Sequence, residues 1–74
     1  MEKIYKITDE ELAKAKNLIR ENGGTIYKDG NFEVKGVEGH FRRLEEGRMK
    51  ITITDKPWLA SWRMIEDKLD EFFN

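Results

Sequence analysis

The residues capable of acid–base or metal chemistry are few. Among 74 residues there is one imidazole, His40, and no cysteine. A histidine titrates near neutrality, but work as a general base needs a partner to orient it, and no such arrangement surrounds His40 in the sequence. It reads as a polar residue on a sheet face. Carboxylates occur in neighbouring pairs at Glu10/Glu11, Glu45/Glu46, Glu66/Asp67 and Asp70/Glu71. Adjacent helix residues point apart, and no apolar pocket is implied that would separate their pKa values, so these are solubilising charges. There is no glycine-rich phosphate loop, no G-x-S-x-G, no H-E-x-x-H and no D-x-D-x-D-G loop. One histidine with scattered carboxylates does not close a zinc site. The chain therefore predicts no catalytic residues, no cofactor and no metal.

Two sets of residues are suited to recognition. The basic set is Lys35, Arg42, Arg43, Arg48 and Lys50, a modest anion or nucleic-acid surface on and beside the strands. Phe41 is the aromatic among them, and its parity points inward, so the stacking platform of single-strand binders is missing. The second set is apolar: Trp58, Leu59, Met64, Phe72 and Phe73 exceed what a small core needs once Trp62, Ile65 and Leu69 are assigned to it. An exposed aromatic patch of this kind, rimmed by Arg63, Lys68 and Asp70, suits a protein partner or a second copy.

The elements that position these residues are marked locally. Thr8-Asp-Glu-Glu11 is a capping box, flanked by Ile7 and Leu12 at the two sites of a hydrophobic staple, and Gly23-Gly24 supply a left-handed stop. Leu12, Ala15, Leu18 and Ile19 fall within about 120° of one another and face a core, while Lys14 and Lys16 face water. Asp29-Gly30 between Thr25–Lys28 and Asn31–Lys35 predicts a β-hairpin. A two-residue turn would set Tyr27 opposite Phe32, and a three-residue loop with Gly30 left-handed would set Ile26 there. Inward parity changes from Val34 to Val37 and Phe41, which predicts a bulge at Gly36. After the Glu45-Glu46-Gly47 turn, Met49, Ile51 and Ile53 alternate inward with Lys50, Thr52 and Thr54 outward. Pro57 predicts the start of the last helix, where Trp58, Trp62, Ile65, Leu69, Phe72 and Phe73 share about 100° of arc. Residues 3–7 suggest a further short strand.

The predicted architecture is a two-layer α+β sandwich in one domain spanning residues 1–74. An antiparallel sheet of three or four strands, with or without the N-terminal strand, carries both helices on one face in the order (β)-α-β-β-β-(β)-α. A chain this short buries only about 60% of its unfolded surface, so its large apolar side chains serve one core. The balance of 14 basic against 15 acidic residues gives a net charge of −1, with no strongly basic third, which disfavours generic nucleic-acid binding. The first residues lack the apolar stretch of a secretory signal, and no run approaches the roughly 20 apolar residues of a membrane span. A cytoplasmic setting away from membranes is the expectation.

Asp29-Gly30, Gly36-Val-Glu-Gly39, the alternating Met49–Ile53 strand and Lys56-Pro-Trp58 occur in the order seen in the polyhydroxyalkanoic acid system proteins, and from Gly24 onward the chain resembles that family. This chain carries Thr52, Thr54 and Asp55 where the family has an apolar run. The resemblance implies a non-enzymatic accessory role and transfers no catalytic residues. The helix-strand-strand-strand-helix order also resembles double-stranded RNA-binding domains, whose basic cluster at the start of the last helix is replaced here by Asp55-Lys-Pro-Trp-Leu-Ala60. The expected function is binding of a protein partner, or self-association into a homodimer, through the C-terminal helix. Nucleic-acid binding by the open sheet face is the alternative.

Overall fold

A computed structural model describes residues 1–73. It orders them as β1 (Glu2–Lys6), α1 (Asp9–Glu21), β2 (Thr25–Ile26), β3 (Asn31–Val34), β4 (Val37–Arg43), β5 (Arg48–Asp55) and α2 (Trp62–Phe73). The predicted sandwich is formed in its fullest strand count, as one five-stranded sheet in the order β1-β5-β4-β3-β2 with every neighbour antiparallel.

Helix α1 is bounded as its sequence dictates. The Glu11 amide donates to Thr8 Oγ1 at 3.1 Å and the Thr8 amide to Glu11 Oε1 at 2.9 Å, which satisfies two orphan donors reciprocally. At the other end Gly23 adopts φ 81°. The Gly24 amide then reaches Ile19 O and the Gly23 amide reaches Arg20 O, the paired bonds of a Schellman stop.

The Asp29-Gly30 hairpin takes the three-residue form. Ile26 pairs with Phe32, the Tyr27 amide donates to Asn31 O at 2.8 Å, and Gly30 is left-handed at φ 90°. The parity change after Val34 has a different origin from the predicted bulge. Val34 pairs directly with Val37, and Lys35 and Gly36, at φ 51° and 81°, are the two left-handed residues of a tight turn joining β3 to β4. A true register shift does occur, but between β4 and β5 at Glu38/Gly39, where Thr54 of β5 is the extra residue.

The core lies between the sheet and both helices. Met49, Ile51 and Ile53 of β5, an interior strand between β1 and β4, meet Tyr5, Phe32, Val34 and Phe41 from the sheet and Leu12, Ala15, Ile19, Ile65, Leu69 and Phe73 from the helices. Phe32 stacks on Phe41 with centroids 4.6 Å apart, and Phe73 meets Phe41 edge-on at 5.8 Å and Tyr5 at 5.5 Å. A polar tie fixes α2 over β1: Tyr5 Oη donates to Asp70 Oδ1 at 2.7 Å, and Lys3 Nζ reaches Asp70 and Glu66 at 3.1 and 3.3 Å. The Tyr5 hydrogen bond, then that of Lys3, holds the Asp70 carboxyl below its ordinary range. Burial, then the Asp70 hydrogen bond, pushes the Tyr5 hydroxyl up.

Helix α2 begins later than Pro57 predicts. The Ala60 amide donates to Pro57 O at 3.0 Å, closing a turn with Trp58 and Leu59 at its tip, and the helix starts after Ser61, whose Oγ accepts from the Met64 amide at 3.2 Å. A serine N-cap thus sets the boundary, and Trp58 leaves the buried stripe.

Candidate functional site

The sequence-predicted contact residues divide sharply by exposure. Trp58 is 86% exposed, Leu59 77% and Met64 57%. Phe73, predicted in the same patch, is instead a core residue at 5% exposure, and Phe72 is half-buried in the gap between α2 and α1. Trp62, assigned to the core by periodicity, is 47% exposed. It occupies the first turn of α2, ahead of the buried positions Ile65, Leu69 and Phe73. The exposed members are therefore Trp58, Leu59, Trp62 and Met64, carried by one turn and the start of one helix.

Three contacts hold this segment in place. Pro57 packs on the β3–β4 turn so closely that a Cβ on Gly36 would come within 2.9 Å of Pro57 Cγ. Lys56 Nζ donates to Ala60 O at 2.5 Å and lies 5.2 Å from the Trp62 ring centroid, a cation–π contact that covers one ring face. The Ser61 cap completes the frame. Trp58 and Leu59 are thus held outward by local bonds that tie down the turn on both sides.

The basic set is only partly assembled. Arg42 and Lys50 are cross-strand partners on the open face, with Arg48 one row along. Lys6, missed in the sequence because β1 was a weak expectation, pairs with Arg48 and adds a fourth cation. Arg43 has the opposite parity; it turns to the helix side and binds Asp9 of α1 at 2.6 Å. Lys35 lies in the β3–β4 turn. His40 is also on the open face, where Nδ1 is 2.8 Å from Asn31 Oδ1.

A cleft of about 190 Å³ lies between the helices over β3, lined by Leu18, Phe32, Val34, Ile65, Leu69 and Phe72. It is smaller than the roughly 300–1,000 Å³ of small-molecule sites. Among the described residues no three His, Cys, Asp or Glu side chains converge, and no helix is long and apolar enough to cross a membrane. No family model, curated protein or solved structure matches the chain.

Proposed function

We propose that this is a non-catalytic binding domain that docks on an apolar surface of a protein partner through Trp58, Leu59, Trp62 and Met64. The carrying observation is that a tryptophan and a leucine project from a turn held by the Pro57–Ala60 bond, Lys56 and the Ser61 cap. A surface tryptophan with an apolar neighbour has the composition of an interface anchor, and fully burying each such side chain yields about 1.5–3 kcal/mol.

The test is affinity capture with the parent chain and a Trp58→Ser/Leu59→Ser variant in parallel. A protein held by the parent and lost by the variant, at unchanged melting temperature, supports the reading. The same proteins on both would overturn it.

A second reading rests on the open face. Lys6 opposite Arg48 and Arg42 opposite Lys50 are two like-charged cross-strand pairs, of which, among the described residues, only Lys50 has an acidic neighbour, Glu2 at 3.8 Å, so the face as a whole favours an added anion. Binding to RNA or DNA that falls steeply with salt and is lost in Arg42→Glu or Lys50→Glu would establish it; no retardation at low salt would end it.

A further inference from the structure

We infer that β1 is a self-pairing edge, through which two copies of this chain join antiparallel about a two-fold axis at Ile4, making one sheet continuous across both molecules. The surface is separate from the 58–64 patch and does not depend on its function.

The first ground is the backbone. β1 is an outer strand, and the Ile53 amide donates to Met1 O at 2.8 Å and the Ile7 amide to Gly47 O at 2.9 Å. With Lys3 opposite Ile51 and Tyr5 opposite Met49 between them, antiparallel alternation directs the odd residues' N–H and C=O groups toward β5. Those of Glu2, Ile4 and Lys6 point out of the sheet edge. β1 contains no proline, glycine or register shift to blunt its edge, and the charges it does carry on the open face, Glu2 and Lys6, are opposite in sign. Lys3, an inward charge of the kind that also protects edges, is tied back to Glu66 and Asp70.

The second ground is charge complementarity. Antiparallel pairing centred on Ile4 sets Glu2 of each copy opposite Lys6 of the other, and Ile4 opposite Ile4. All three pairs lie on the open face, and all use backbone groups that point outward. Ile4 is 53% exposed in the single chain, and Lys6 has no ion pair among the described residues. Glu2 lies 3.8 Å from Lys50, which leaves its second carboxylate oxygen for the incoming lysine. A shift of two residues either way sets Ile4 opposite Glu2 or Lys6 and loses both charge pairs, so the strand specifies its own register.

Sedimentation equilibrium of the whole chain tests this. The parent is expected to be dimeric. Glu2→Lys and Lys6→Glu each bring like charges together twice, raising the dissociation constant by about tenfold or more. Mixing the two variants is expected to restore a dimer containing one of each, and the Glu2→Lys/Lys6→Glu double variant a homodimer. Circular dichroism establishes that every variant is folded. A parent that stays monomeric at millimolar concentration would overturn the inference, as would a dimer indifferent to Glu2→Lys or a mixture that fails to recombine. A dimer lost in Trp58→Ser/Leu59→Ser but kept in Glu2→Lys would assign self-association to the other surface.

Discussion

Gly39 leaves no room for a side chain in the sheet, and Gly39→Ala is a sharp test of the core. Gly39 is the cross-strand partner of Phe32, whose ring folds over it. A Cβ there would sit 2.5 and 2.6 Å from Phe32 Cζ and Cε1, and 2.8 Å from Thr52 O. Carbon atoms rest about 3.5–4.0 Å apart, so the ring must yield by about 1 Å. It has little room to do so, being buried and stacked on Phe41 at 4.6 Å, which in turn contacts Phe73. Overpacking of this kind costs about 1–3 kcal/mol, and the backbone oxygen of Thr52 does not relax as a side chain tip does. A domain of this size has a total stability of about 4–11 kcal/mol, so a loss of about 2 kcal/mol lowers the melting temperature by about 10 °C. Thermal and urea denaturation followed by circular dichroism measure the loss. A double-mutant cycle with Phe32→Leu isolates its cause: the shorter side chain vacates the clash, so the double variant is expected to be more stable than additivity allows. An unchanged melting temperature for Gly39→Ala, or a strictly additive cycle, would refute this account of the core.

Further expectations follow from the same packing. Ile51→Ala, at a fully buried site on the interior strand β5, is expected to cost about 2–5 kcal/mol, whereas Trp58→Ala stays within about 0.5 kcal/mol of the parent by urea titration. Ser61→Ala removes the α2 cap and is expected to cost about 1 kcal/mol in the same assay, with loss of helical signal. Asp70 has its folded pKa depressed below the ordinary 3.8, so its contribution is present above that value and lost as acid protonates it; Asp70→Asn is expected to flatten the acid limb of the stability–pH curve. Tyr5 is raised above the ordinary 10.0, so its contribution is complete below pH 10 and lost as pH rises further, and Tyr5→Phe is expected to flatten that alkaline limb.

The parts of the fold that were legible in the sequence are those where one local interaction decides the geometry. Thr8 and Glu11 specify a helix start through their own hydrogen bonds, and Met49, Ile51 and Ile53 specify a half-buried strand by alternation alone. Where two local signals competed, the sequence misled. Lys35-Gly36 requires a lysine at φ 51°, an uncommon state for a residue with a Cβ, so a bulge at the glycine was the simpler inference than a two-residue turn. Trp58 and Trp62 fit the helical period of Ile65 and Leu69, yet Ser61 starts the helix between them, so both are exposed and neither joins the core. The contact residues Trp58, Leu59 and Met64 were visible as apolar surplus. Phe73 was not separable from them by type, because its burial depends on Tyr5 and Phe41, remote in the chain. Lys6 was hidden for a related reason: its place beside Arg48 depends on β1 crossing to the far side of the sheet.

The sheet ends unequally, and this limits how such molecules can assemble. β2 holds only Thr25 and Ile26, with Gly23 and Gly24 before it and Asp29-Gly30 after it, so it offers too few amides to template another strand. β1 is the longer margin. Under the proposed pairing, joining through it occupies the longer sheet margin of each molecule, so strand addition at that margin halts at a closed pair.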